Sequence, residues 1–171
     1  IGRCNSALGY LAHKLVVCVK IDCRLLAQSC LVILVGPGLR NLDGTLLDTM
    51  EDIAGACNHA LEACGCPARK LEEYNMLVGR GILNLFRGAL PEEMRTDEVV
   101  GKMHSHFVPY YNEHICDKTR PYPGIYEMLD RLADNGISFA VASNKYQEGT
   151  ETLLKRLFGK YRFVSILGQR D

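Results

Sequence analysis

Asn41-Leu42-Asp43-Gly44-Thr45-Leu46-Leu47-Asp48-Thr49 is the stretch on which the reading of this sequence turns. Asp43-Gly44 is a tight-turn pair. Thr49 stands where a helix N-cap is wanted, just ahead of Ile53, Cys57, Ala60, Leu61 and Cys64 at helical spacing. Taken alone, the string is an Asp-Gly turn followed by a capped helix. In an extended loop, residues two apart point the same way, so Asn41 and Asp43 can face one ligand.

Downstream of Thr49 the apolar spacing is helical as far as about Thr119. Ile82, Leu85, Phe86 and Ala89 form one set, and Val99, Val100, Met103, Phe107 and Tyr110 another. Pro121-Tyr122-Pro123-Gly124 is a stiff turn that closes this stretch. Pro123 then opens a helix with Ile125, Met128, Leu129 and Leu132 inward, and Gly136 ends it. The apolar run Ile137–Ala142 follows, ending in Ser143-Asn144-Lys145. A helix bearing Leu153, Leu154, Leu157 and Phe158 stops at Gly159, before the strand-like Phe163–Leu167. Helix, strand, helix, strand at this spacing predicts an α/β fold with a parallel sheet.

The 171 residues carry 20 basic and 20 acidic side chains, and 47% of them are hydrophobic. That bounds the chain to one globular domain with an insertion, and excludes a disordered chain or a basic nucleic-acid binder. Residues 1–40 hold five basic residues against one acidic, whereas 41–171 hold 15 against 19. Cys4, Cys18, Cys23 and Cys30, half of the eight cysteines, fall in the same first segment without paired spacing. Reduced thiols in a cytoplasmic setting are expected. Lys14, Lys20, Asp22 and Arg24 interrupt the apolar stretch from Leu11 to Val35, so neither a membrane span nor a signal peptide is expected.

The string at Asn41–Thr49, Val78-Gly79-Arg80-Gly81, Pro121–Ile125 and Val141-Ala142-Ser143-Asn144-Lys145 occur in the order seen in a known family. Over about 130 of its 171 residues the chain resembles the haloacid dehalogenase superfamily, and within it the phosphoglycolate-phosphatase type. The resemblance implies a Rossmann-like core, its parallel sheet incomplete here, with an inserted all-helical cap. Residues 41–49 and 120–171 would form the core, 50–119 the cap, and 1–40 an unassigned segment.

In that family the first carboxylate of a DxDGT loop attacks phosphorus to form an aspartyl-phosphate, and the second protonates the leaving group. By resemblance Asn41 occupies the nucleophile position and Asp43 the general acid/base position. Thr45 supplies a supporting hydroxyl and Ser143 the phosphate-binding hydroxyl. Asn144 and Lys145 flank the phosphate, with Lys145 matching the TNK-type lysine and not the separate catalytic one. Gly79, Arg80 and Gly81 close over the substrate. Mg²⁺ is the implied cofactor, held by Asn41 and Asp43, and the implied partner is a small phosphorylated metabolite, not nucleic acid or a membrane.

The sequence departs from this pattern at three places. Asn41 is a neutral amide, a poor nucleophile and a weaker Mg²⁺ ligand than a carboxylate. The family's catalytic lysine and acidic GDxxxD loop fall beyond the equivalent of Gln169. Gly36-Pro37-Gly38-Leu39-Arg40 reads as a turn where the family has a strand, although Leu31–Val35 could supply that strand five residues early. A reading-frame break near Asn41 and impaired turnover are therefore expected. The competing expectation is an inactive fragment that at most binds phosphate or a partner, and a mutase or pyrophosphatase would share the same loops.

Other constellations read more plainly. His104 and His106 are separated by about 200° on a helix, which argues against a zinc site with His114 and Cys116. Cys64-Gly65-Cys66 has the spacing of neither a redox motif nor a zinc knuckle. Tyr110-Tyr111 is expected in the cap core. A helix N-terminus after Gly81 would favour an anionic group, against the alternative of a plain turn with a solvated Arg80.

Overall fold

A computed structural model describes residues 18–21, 30–33, 42–79 and 81–169. Asn41, Arg80 and most of residues 1–40 lie outside the described residues, as do the expectations that fall on them, including the Gly36–Arg40 turn. The main sheet has the order β1-β2-β5-β6, from β1 (Cys18–Ile21), β2 (Cys30–Ile33), β5 (Ser138–Tyr146) and β6 (Phe163–Gln169). β1 runs antiparallel to β2, whereas β2 is parallel to β5 in the register Cys30↔Ser138 to Ile33↔Val141, and β5 is parallel to β6. The strand foreseen at Leu31–Val35 is described over Cys30–Ile33, starting one residue earlier, and lies beside β5.

The chain next makes one short turn, α1 (Leu42–Thr45), and leaves the core through β3 (Leu47–Asp48). It returns through β4 (Arg120–Pro121). These two strands pair antiparallel, Leu47↔Pro121 and Asp48↔Arg120, and the Tyr122 amide donates to the Leu46 carbonyl at 3.1 Å. Everything described between them is helical or loop: α2 (Met50–Ala63), a 3-10 turn at Leu71–Met76, α3 (Ile82–Ala89), a second at Glu92–Met94, and α4 (Asp97–His114).

Local chemistry sets these boundaries. Thr96 caps α4, its hydroxyl accepting from the Val99 amide, and Val100, Met103, Phe107 and Tyr111 recur at helical spacing on the buried face. Gly65, at φ 74°, ends α2: its amide donates to Glu62 while the Cys66 amide donates to Leu61, the paired bonds of a Schellman cap. Cys64-Gly65-Cys66 is therefore a helix stop, with the Cys66 side chain buried beneath it. Gly136 (φ 72°) ends α5 (Ile125–Asp134) in the same way, through Gly136 to Ala133 and Ile137 to Leu132.

Two details differ from the sequence expectation. Thr49 occupies the N-cap position of α2 but makes no side-chain cap bond; the Asp48 carboxylate instead accepts from the Met50 amide at 3.4 Å. β5 does not end at Ala142 but continues through Ser143-Asn144-Lys145 to Tyr146, with a register shift against β6 between Ala142 and Tyr146. The continuation is possible because Lys145, a residue that normally ends burial, finds a partner inside. Among the described residues no helix is long and apolar enough to cross a membrane.

Candidate functional site

Asp43 and Gly44 have the dihedrals of the central residues of a type II turn, φ −66°, ψ 120° and φ 78°, ψ 5°. Only glycine takes the second position without strain. The turn holds Asp43 with its side chain 8% exposed, opposite the end of β5.

There Lys145 Nζ stands 3.1 Å from Asp43 Oδ1, its own side chain only 5% exposed. The approach lacks hydrogen-bond alignment, and Asp43 Oδ1 accepts no hydrogen bond although it is buried. The ammonium directs its hydrogen bond to the Tyr111 hydroxyl at 2.9 Å and lies 4.7 Å from that ring's centroid. Burial, reinforced by the negative charge of Asp43, pushes the Tyr111 hydroxyl well above its ordinary pKa, so it stays protonated.

A cavity of about 50 Å³ opens beside this cluster. Asp43, Asn144, Lys145, Tyr111 and Tyr146 meet Val78, Gly79, Gly81, Ile82, Ile53, Leu85 and Phe107 around it. A larger cleft of about 330 Å³ shares Asp43, Val78 and Gly79, and runs past Gly44, Asp48, Glu51, Glu72, Asn75 and Tyr122. The Asn144 amide nitrogen donates to the Gly79 carbonyl at 3.3 Å, which joins the helical insertion to the end of β5.

Five of the residues singled out in the sequence, Asp43, Gly79, Gly81, Asn144 and Lys145, therefore line one cavity. Ser143 and Thr45 do not line it. The Ser143 oxygen accepts the Lys145 amide at 3.1 Å within β5, and Thr45 is half-buried at the end of the turn. Gly81 precedes α3 as its N-cap residue, at φ 86°. Asn41 and Arg80 lie outside the described residues. No group of three or more His, Cys, Asp or Glu side chains suited to a metal ion occurs among the described residues, the histidines of α4 included.

Sequence reasoning assigned Tyr111 to the cap core, where its ring indeed sits fully buried against Phe107. Its hydroxyl reaches the site nonetheless. The available signal was its place four residues after Phe107, next to the Tyr110 that the periodic set took instead, which shows burial but not what lies across it. Asp52 was also missed. This buried carboxylate accepts from the Lys118 amide at 2.9 Å and from the Thr119 amide and hydroxyl at 2.8 and 2.7 Å, so it joins the first turn of α2 to the segment returning from α4.

Comparison with known proteins places this geometry in a family. The profile of haloacid dehalogenase-like hydrolases matches residues 41–171. A phosphoglycolate phosphatase of Agrobacterium fabrum is 34% identical over 119 residues, 68% of this chain and 51% of the relative. One from Neisseria meningitidis is 36% identical over 134 residues, 75% of this chain and 56% of the relative. Among solved structures, a predicted phosphoglycolate phosphatase from Haemophilus somnus has a TM-score of 0.68 at 27% identity, covering 74% of this chain and 59% of that one. The chain thus spans just over half the length of these relatives. Since the matched segment contains the Asp43 turn, the helical insertion and the Lys145 strand, and accounts for most of the sequence, the chain belongs to the haloacid dehalogenase-like hydrolase family.

Proposed function

We propose that this chain is a phosphatase-type module for a small phosphorylated metabolite, with phosphoglycolate the best single candidate, and that Asn41 impairs its turnover. The observation that carries the reading is the buried Asp43–Lys145 pair bordering a cavity that Asn144, Gly79 and Gly81 also line. The names of the relatives support the substrate class. In this reading residues 41–49 and 120–171 are the core, 50–119 the cap that selects the substrate, and 1–40 an unassigned segment whose described strands β1 and β2 extend the core sheet. Among the described residues Cys57, Cys64, Cys66 and Cys116 are free thiols, which supports a cytoplasmic setting.

Lys145 attracts the phosphoryl oxygens and the Asn144 amide adds a donor at the end of β5, while Ser143, which does not line the cavity, holds the Lys145 backbone amide. Asp43 stands at the position from which, by resemblance, a protonated carboxyl would hand its proton to the leaving oxygen. Thr45 steadies the Asp43 turn, while Gly79, Arg80 and Gly81 take the place of the cap loop that, by resemblance, closes over the substrate. Asp43 Oδ1, buried and without a hydrogen bond, suits a hard cation of the kind held by one or two carboxylates together with substrate oxygens. Mg²⁺ would be held by Asp43 and, more weakly, by the Asn41 side-chain oxygen; when bound it neutralises phosphoryl charge. At the nucleophile position Asn41 offers an amide that cannot form the aspartyl-phosphate, which also favours a second reading, an inactive chain that only binds phosphate or a partner.

Phosphate release from phosphoglycolate in Mg²⁺, measured beside direct titration of phosphoglycolate, tests both readings. Expected are turnover at background and binding that the charge-neutral pair Asp43→Asn/Lys145→Met weakens at least about tenfold, as loss of charged hydrogen bonds does. Unchanged binding in the double variant would remove the site. Turnover that requires Mg²⁺ and disappears in Asp43→Asn would remove the impairment assigned to Asn41.

A further inference from the structure

Resting on the phosphoryl-binding reading above, we propose that Tyr111, carried by the helical insertion, is the positioning residue that sets the Lys145 ammonium for an oxyanion in the 50 Å³ cavity. Lys145 comes from β5 of the core, Tyr111 from α4 of the insertion, and the two side chains meet at 2.9 Å with the ammonium also near the tyrosine ring. An ammonium has three hydrogens to direct and no preferred plane. The Tyr111 oxygen fixes one of them. Asp43 Oδ1 attracts the charge without claiming a hydrogen bond, so the remaining donor capacity is not tied up by the carboxylate.

Tyr111 is held rigidly enough for this task. Its ring is fully buried, stacks on Phe107 at a centroid distance of 5.2 Å, and meets Tyr146 edge-on at 6.4 Å. The hydroxyl that accepts from Lys145 keeps its own hydrogen, a second donor at a cavity that Tyr111 itself lines. At roughly 10–15 Å³ for each water, the cavity holds a few waters or one small oxyanion. The ligand class is an inorganic or esterified phosphoryl group, and the contact makes the strength of its binding depend on where the insertion sits.

The probe is inorganic phosphate, titrated into the full chain and into Tyr111→Phe, which keeps the ring and its packing. Tyr74→Phe is the control. That hydroxyl donates to Asn58 Oδ1 at 2.6 Å inside the insertion, makes no hydrogen bond to Lys145, and reports general loosening of the cap. Alongside, the Lys145 ammonium resonance is followed by ¹⁵N NMR without ligand, a signature that a purely structural role of Tyr111 would leave in place. Expected are phosphate binding weakened about tenfold in Tyr111→Phe, a displaced Lys145 resonance in that variant, and neither change in Tyr74→Phe. If the full chain binds phosphate and Tyr111→Phe binds it equally well, the positioning role is wrong while the phosphoryl-binding reading stands. Equal weakening by Tyr74→Phe, or an unmoved Lys145 resonance, also overturns the role. If the full chain binds no phosphate, the phosphoryl-binding reading fails and the positioning role goes with it.

Discussion

Asp43 Oδ1 and Lys145 Nζ are 3.1 Å apart on side chains that are both less than a tenth exposed, yet the contact is one of charge and not a hydrogen bond. Two groups that water would otherwise hydrate are thus held in the interior by each other, one in a turn and one in a strand 102 positions later. Removing either leaves the other buried and uncompensated. Lys145→Met should lower unfolding stability by about 3–5 kcal/mol, and adding Asp43→Asn should recover most of the loss. Denaturant unfolding of the two single variants and the double variant gives the coupling directly; additive losses would show that the pair does not act as a unit.

Asp52 answers three donors of residues 118 and 119 where the insertion rejoins the core. Asp52→Ala strands the buried Thr119 amide and hydroxyl and leaves the part-buried Lys118 amide without its partner, for a loss of about 3 kcal/mol. Urea unfolding measures the loss, and hydrogen exchange at the Lys118 and Thr119 amides should accelerate beyond that of the Schellman amides at Gly65 and Cys66. Unchanged exchange at 118 and 119 would mean that water replaces the carboxylate without loss.

Burial pushes the Cys57 thiol up to about 11, against a smaller opposing effect of its hydrogen bond with Tyr74. An unfolded thiol titrates near 8.5–9. The native state therefore holds this proton more tightly, so the contribution is complete below about pH 8.5 and is lost as pH rises toward 11. It amounts to roughly 2–3 kcal/mol. Tyr74, Tyr111 and Tyr146, also raised by burial, act in the same direction at higher pH. Unfolding curves between pH 8 and 10 should fall for the parent chain and stay flatter for Cys57→Ala; parallel curves would contradict the buried neutral thiol.

Gly168 sits where β6 passes the end of β5. A Cβ there would lie 2.6 Å from Gln147 Cα and 2.8 Å from the Lys145 carbonyl, both backbone atoms that cannot swing aside. Gly168→Ala should cost about 1–3 kcal/mol. Gly101, within α4 and with nothing inside 4 Å of its Cβ position, is the opposite case, and Gly101→Ala should add about 0.5–1 kcal/mol. Thermal melts of the two variants should move in opposite directions.

Much of the scaffold was legible because it is local. Gly136 closes α5, the Leu153, Leu154 and Phe158 spacing makes α6 (Gln147–Phe158), and the insertion is helical as its periodicity requires. The nearness of Asp43 and Lys145 was legible only through family resemblance, since no periodicity relates residues so far apart. Tyr111 and Asp52 show where reading stopped. Helical spacing gives the buried side of α4 but not the ammonium beyond it, and Asp52 looks like an ordinary first-turn acid whose donors lie 66 and 67 residues away. The extension of β5 to Tyr146 has the same origin, because a lysine looks like a strand end until its counter-charge is known.

The two-residue ladder of β3 and β4 has a consequence for how such proteins diversify. Because Leu47 pairs with Pro121 and Asp48 with Arg120, the outgoing and returning chains are neighbours irrespective of the length between them. The entropy of closing a long excursion grows only with the logarithm of its size, about 0.6 kcal/mol for each doubling. A longer, shorter or differently folded cassette could thus be spliced between these strands at small thermodynamic penalty. The helical insertion can therefore vary while the turn at Asp43 and the strand at Lys145 keep their spacing.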